Sequence, residues 1–305
     1  MSLIDILISS ILGFIMLSIG LSLNRNSFYH LLANPRPIFM GMSLQLLVLP
    51  LLAFLIAFSW PLPSAFQVGI IILAACPGGM TSNFISYLLR ANTALAVSLT
   101  ISNSVVTMFS VPFLVNLGLR MADADGGVTA LPFLPTAGRI FVIVLIPVTL
   151  GIIFRAYFPK IARKLQLYFR WISVLLLALV FIIKVFAPVE SGGSALTLTE
   201  VGQILPASLL VNVAALSVGF LLTRAFRFRI NDQLTMGVEI GIQNTSLAFL
   251  IAATLLHNED MLKPALVYAT FSFLTAFAYG LLLKPKEWQV IKREFKELKR
   301  RIVYG

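Results

Sequence analysis

Apolar residues run through the chain in long unbroken stretches separated by short polar clusters. Nine runs can be marked, near residues 3–23, 37–59, 66–89, 93–117, 136–157, 171–188, 202–223, 232–256 and 263–283. A bilayer core of about 30 Å takes about 20 apolar residues of α-helix, so each run predicts a transmembrane helix. Two runs are interrupted at mid-length. In the third, Cys76-Pro77-Gly78-Gly79 precedes Met80, Thr81, Ser82 and Asn83. Proline removes a backbone donor and clashes with the preceding turn, and each glycine opposes helix by about 1 kcal/mol. In the eighth, Met236 to Leu250 reads MGVEIGIQNTSLAFL, placing Glu239, Gly241, Gln243, Asn244, Thr245 and Ser246 within a few turns. The predicted fold class is an all-α polytopic membrane protein with about nine spans.

Position adds a symmetry to this pattern. The third and eighth runs are each third in a set of four, runs 1–4 and runs 6–9. They point in opposite directions, the third inward and the eighth outward. Irregular backbone at membrane depth is tolerated where it is buried in protein or lines a wet cavity. Two interrupted helices meeting at the midplane of an inverted repeat fit both requirements. A proline kink with small residues for close packing is the plainer reading of the third run taken alone.

Composition agrees with the pattern. The 305 residues are 59% hydrophobic and 11% charged, with a mean hydropathy of +0.95, whereas soluble domains carry about 25% charged residues. The net charge of +11 is a topology signal rather than a nucleic-acid footprint. Of the 23 basic residues, only Arg120, Arg139, Lys184 and Lys263 fall outside the loops after runs 1, 3, 5 and 7 and the tail after run 9. Basic loops stay cytoplasmic. An inner or plasma membrane protein with its N-terminus outside and its C-terminus inside is therefore expected. The first run has Asp5 where a signal peptide has basic residues, which predicts a retained helix. Residues 1–283 form the transmembrane unit and 284–305 a basic tail. There Trp288, Ile291, Phe295 and Leu298 at helical spacing predict a helix lying on anionic lipid.

The candidate chemistry centres on Glu239. An ionised carboxylate at mid-bilayer costs roughly 2.5 to 3.5 kcal/mol, so a cation, a proton or a wet cavity must compensate it; a neutral acid hydrogen-bonded to a neighbouring helix is the alternative. The nearby amides and hydroxyls favour a cation. The fourth run adds Ser98, Thr100, Ser102, Asn103 and Ser104, of which Ser102 and Ser104 read best as interhelical hydrogen-bonding residues. Gln45, five residues before Pro50, fits a ligand and a structural role equally. Membrane aspartyl chemistry needs two carboxylates sharing a proton, and only Glu239 lies at mid-span. His30 and His257 lie outside the runs, so a serine mechanism lacks its base. No enzyme and no cofactor is expected, and Cys76 has no cysteine partner.

These stretches resemble the bile acid:sodium symporter family. The resemblance rests on CPGGMTSN at 76–83 with LLRANTALA after it, EIGIQNTSLA at 239–248, Gln45 with Pro50, and the opening GLSLNRNSF. It implies a nine-helix form with core helices 2, 3, 4, 7, 8 and 9 and panel helices 1, 5 and 6, the third and eighth crossing where they unwind. It implies one sodium site from Ser82, Asn83, Thr100 and Glu239, and another from Gln45, Glu239, Gln243 and the carbonyls of Ile240 and Ile242. It implies an organic-anion cavity bordered by Gly79, Met80, Thr81 and Asn244. Two positions depart from the family pattern: Ala96 replaces a sodium-site serine, and Met80 a threonine near the substrate. The implied function is symport of sodium with an organic anion such as a bile acid, a steroid sulfate or a pantoate- or pyruvate-like carboxylate. Proton-coupled or passive transport of such an anion is the alternative.

Overall fold

The computed structural model describes residues 3–22, 35–122, 131–186 and 193–285. The tail helix expected around Trp288 to Leu298 lies outside them. The described residues form helices and short connections, with no strand among them. In chain order they are α1 (Leu3–Ser22), α2 (Pro35–Ser59), α3 (Ser64–Ala75), α4 (Met80–Leu88), α5 (Thr93–Met121), α6 (Phe133–Tyr157), α7 (Pro159–Phe186), α8 (Leu198–Ala225), α9 (Ile230–Gly241), α10 (Thr245–Phe249) and α11 (Glu259–Leu283). A wide π-helical turn, Leu250–Leu255, extends α10.

Every predicted run holds a helix or an interrupted helix. Seven of these, counting α9 with α10, are long and apolar enough among the described residues to cross a membrane; α3 and α4 together, bent by 62°, make an eighth, and α1 is 20 residues long. The chain is thus a multi-pass membrane protein. The largest displacement from the sequence reading is in the sixth run. Its helix begins at Pro159 rather than near 171, so Lys160, Arg163 and Lys164 ride on its first turns instead of forming a loop. Hydrophobicity marks only the length that lipid requires, and a helix continues past it wherever backbone bonding and propensity allow.

Local chemistry accounts for the ends and breaks. Asn92, Thr197 and Asn258 cap α5, α8 and α11, each side chain accepting a backbone N–H of the first turn. Cys76 precedes a proline and is extended, with φ −75° and ψ 143°, as the proline ring requires of its neighbour. Two wide turns, Leu44–Val48 in α2 and Phe141–Leu145 in α6, end just before Pro50 and Pro147. The amide of Leu49 reaches back to the Leu44 carbonyl, so the helix widens where proline offers no N–H.

Packing is densest within two sets of helices, which also meet where α5 lies on α6. α1 lies on α6 and α7; a Cβ on Gly151 would fall 2.8 Å from the Gly20 Cα, and Phe14 stacks on Phe169 at 4.7 Å. The other set joins α8 to α9 and α11, and α3 to α2, α5 and α11. The two ends of the bundle differ in charge. At one, Arg36 donates to the Phe226 carbonyl (3.0 Å) and Lys284 to the Arg90 carbonyl (3.1 Å). At the other, Lys184 pairs with Glu259 (2.7 Å), and Lys263 with Glu200 (2.6 Å) and Asp260 (2.7 Å).

Candidate functional site

The two interruptions touch. Between α3 and α4 the chain is extended at Cys76 and Gly79; between α9 and α10 it is extended at Ile242, with φ −125° and ψ 116°. The Asn244 amide donates to the Pro77 carbonyl at 2.8 Å, linking one break directly to the other. Each new helix is capped at the junction. The Asn244 Oδ1 accepts from the Leu247 amide at 3.1 Å, and Ser82 Oγ accepts from the Gly79 amide (3.1 Å) while donating to the Gly79 carbonyl (2.8 Å).

Glu239 ends up fully buried beside the first break. Its Oε1 accepts from Thr100 Oγ1 at 2.6 Å, while Oε2 is buried with no protein donor. Thr100 Oγ1 also lies 3.0 Å from the Ala96 carbonyl and 3.4 Å from Asn83 Oδ1. Ser82 neighbours the same carboxylate. Gly78 makes the approach possible, because a Cβ there would lie on the carboxylate, 2.6 Å from its Cδ.

Gln45 and Gln243 form a second group. Gln45 Nε2 donates to the Cys76 carbonyl (2.8 Å) and to Gln243 Oε1 (3.2 Å), and Gln243 Nε2 donates to the Ile240 carbonyl (2.6 Å). Gln45 Oε1 is buried with no donor. The ligand and structural readings of Gln45 therefore meet in one side chain, whose amide nitrogen ties the breaks together and whose oxygen is left over. Ile242 closes α9, its amide donating to the Val238 carbonyl at 3.0 Å.

Gly79, Met80, Thr81 and Asn244, expected around the substrate, all line one cavity of about 320 Å³. Gln243, Thr245 and Ser246 continue its polar end, and Ile15 and Ile19 of α1, Val174 and Leu177 of α7, Phe84 and Phe273 supply its apolar walls. Among the described residues no charged side chain lines it.

One network and two details of α5 go beyond the sequence reading. The Gly241 carbonyl, freed where α9 ends, accepts from Tyr268 Oη and from Asn212 Nδ2, both at 2.6 Å, and Thr275 donates to Asn212 Oδ1 at 2.6 Å. An asparagine alone in an apolar run was the available signal for that network. Asn103, one turn beyond Thr100 on the same face of α5, is fully buried with both amide atoms unpartnered; its spacing from Thr100 was the signal. Ser104 corrects an expectation, since it donates to the Thr100 carbonyl of its own helix at 2.6 Å instead of joining two helices. Within one helix the carbonyl four residues back is in reach of a serine hydroxyl, and that bond competes with an interhelical one.

The donor set is oxygen throughout: one carboxylate, hydroxyls, amides and freed carbonyls. Among the described residues no three His, Cys, Asp or Glu side chains cluster. Such donors suit a hard cation and not a soft or transition metal. A comparison with protein families gives the same direction: the model of the Sodium Bile acid symporter family matches residues 10–191. The chain belongs to that family.

Three relatives of this symporter-family chain carry transporter names. The probable sodium/metabolite cotransporter BASS2, chloroplastic, of Oryza sativa subsp. japonica is 30% identical over 259 residues, 84% of this chain and 58% of that protein. The uncharacterized sodium-dependent transporter YocS of Bacillus subtilis (strain 168) is 29% identical over 250 residues, 80% of this chain and 73% of that protein. The probable sodium/metabolite cotransporter BASS1, chloroplastic, of Arabidopsis thaliana is 29% identical over 252 residues, 83% and 60% of the two chains. The chain thus spans less than two thirds of the two plant relatives' length. The matched family is one of transporters, not enzymes.

Proposed function

We propose that the protein is a sodium-coupled symporter of an organic anion, working by alternating access. The observation that carries this reading is Glu239, a fully buried carboxylate with one unpartnered oxygen where two interrupted helices meet. Burying such a group without a partner is costly, and a monovalent cation offsets that cost without adding a counter-charge to the cavity beside it. Ser82, Asn83, Thr100 and Glu239 form one sodium site; Gln45, Glu239, Gln243 and the carbonyls of Ile240 and Ile242 form the other. Binding at the second would draw the Gln45 and Gln243 oxygens to the ion and loosen their mutual bond.

The anion occupies the 320 Å³ cavity, near the lower limit of about 300 Å³ for small-molecule sites. That size favours a small carboxylate over a steroid. Its charge is met by the Asn244 amide, the Thr81, Thr245 and Ser246 hydroxyls and the positive end of α4. Met80 turns part of that wall apolar. The cavity lies between α1 with α7, from the panel of α1, α6 and α7, and the core formed by the remaining helices. A neighbouring cavity lined by Asn83, Tyr87, Thr93 and Gln166 carries the gap toward the basic end. At the other end α1 packs on Leu250–Leu255. With the basic end cytoplasmic and the N-terminus outside, this arrangement is open inward.

The test is uptake of small carboxylates into proteoliposomes under an inward sodium gradient. Accumulation above the equilibrium level is expected with sodium and not with potassium, and Glu239→Ala should abolish it. Sodium-driven accumulation that survives Glu239→Ala in correctly inserted protein would refute the assignment. Equilibration without accumulation would indicate a passive pathway.

A further inference from the structure

A second cavity, of about 460 Å³, lies at the basic end of the bundle and takes no part in the transport site. Arg36 of α2, Arg227 and Arg229 of the α8–α9 connection, Asn92, Ser98 of α5 and Asp232 of α9 line it. Three arginines and one acid thus line the cavity, and Asp232 Oδ1 already accepts from Asn92 Nδ2 at 2.7 Å. Arg36 is held in place by its bond to the Phe226 carbonyl and by the Phe228 ring, 5.0 Å from its guanidinium carbon. Arg227 and Arg229 form no ion pair among the described residues. We propose that this cavity binds the phosphate of an anionic phospholipid headgroup.

Charge complementarity selects the chemistry. Guanidinium groups bind phosphate oxygens through paired N–H donors, and basic pockets between membrane helices on the cytoplasmic side suit anionic headgroups. Exposed apolar side chains on the same elements select a lipid over a free phosphate. Phe39, Phe226 and Ile230 are 71%, 53% and 46% exposed and offer a surface for acyl chains. Sidedness rests on the orientation given under the proposed function.

The site is placed to influence sodium binding. The three helices that form it are those that carry Gln45, Thr100 and Glu239. Ile38 precedes Gln45, and Asp232 precedes Glu239, by seven residues, and Asn92 precedes Thr100 by eight. At 1.5 Å per residue the headgroup lies about 10–12 Å along the helices from the cation ligands. An anion there pulls the three helix ends together and lowers the positive potential beneath the cation.

The experiment measures thermal stability and the sodium midpoint of stabilisation for the full chain, in phosphatidylcholine with and without phosphatidylglycerol. Phosphatidylglycerol should raise the melting temperature and move the sodium midpoint at least about twofold. The Arg227→Gln/Arg229→Gln double variant should lose both effects, so that its melting temperature and sodium midpoint no longer depend on phosphatidylglycerol. If the double variant is not recovered folded, Arg229→Gln alone should show a reduced lipid effect. Retention of the full lipid effect in either variant, or its absence from the wild type, overturns the proposal. Inorganic phosphate added to phosphatidylcholine samples should have no effect, and an equal effect would overturn the lipid assignment. A protein that responds to phosphatidylglycerol through these arginines but not to sodium would leave the lipid site standing and remove the symport reading.

Discussion

Gly78 and Ala96 are small residues that bear on the same carboxylate for opposite reasons. Gly78 is small because the Glu239 carboxylate occupies the space of its side chain. Gly78→Ala should displace Glu239 or reopen the break, at a cost of about 1–3 kcal/mol for overpacking. The expected result is expressed protein whose sodium-dependent stabilisation is lost, read by thermal shift with sodium against potassium. Unchanged sodium stabilisation would show that the carboxylate is not held where the structure has it. Ala96 is fully buried one turn before Thr100, on the face that carries the proposed ligands. Ala96→Ser adds one oxygen there and should lower the half-saturating sodium concentration about three- to tenfold, equivalent to roughly 0.7–1.4 kcal/mol. Equal sodium affinity and Hill coefficient in the two proteins would make Ala96 a packing residue.

At the scale of elements, an interrupted helix has a cost that other elements must meet. Ending α9 at Gly241 frees carbonyls inside the protein, and an unmet buried polar group costs about 1–3 kcal/mol. α8 and α11 meet it at Gly241 with Asn212 and Tyr268, both buried. Tyr268→Phe removes the 2.6 Å bond from the hydroxyl and leaves Asn212 as the remaining side-chain donor to that carbonyl. A loss of about 1–2 kcal/mol in stability is expected, similar with and without sodium. A loss confined to the sodium-bound protein would instead place Tyr268 in the ion site. The wide turn in α2 is the complementary case. Widening the helix before Pro50 puts Gln45 where it reaches Cys76 on one break and Gln243 on the other.

For the whole molecule, the proposed alternating access would move α1, α6 and α7 against the rest, and among the described residues one ion pair stands across that division. Lys184 near the end of α7 bonds Glu259 at the start of α11, with side chains 2% and 40% exposed. Removing one member of a fully buried pair costs about 3–5 kcal/mol. Glu259 is 40% exposed, and solvent screening brings the expected effect nearer 1 kcal/mol, or about fivefold in an equilibrium. Lys184→Met should therefore raise outward opening about fivefold. A cysteine at Ala253, 7% exposed in the π-helical turn beneath α1, should be labelled faster by an impermeant maleimide, with native Cys76 buried and silent. Labelling at the wild-type rate in Lys184→Met would mean that the pair is not a latch. Lys263, by contrast, joins α8 and α11 within the other set, and its loss should leave labelling unchanged.

What the chain determined by itself follows from lipid as a solvent. A bilayer forces apolar length and internal backbone bonding on every span, so the runs, the two breaks and the lone carboxylate were readable at Pro77-Gly78-Gly79 and around Glu239. The resemblance to a family supplied the grouping of Gln45, Ser82, Asn83, Thr100 and Gln243, which no local pattern dictates. Tertiary structure decided what depends on distance between residues remote in sequence. The amide of Asn244 meets Pro77, the space of a missing Cβ at Gly78 admits Glu239, and Asn212 and Tyr268 reach Gly241. It also gathered Arg36, Arg227 and Arg229, which the sequence presented as separate loop charges, around one cavity. Hydrophobic periodicity is a property of single elements, whereas a binding site is made of contacts between them.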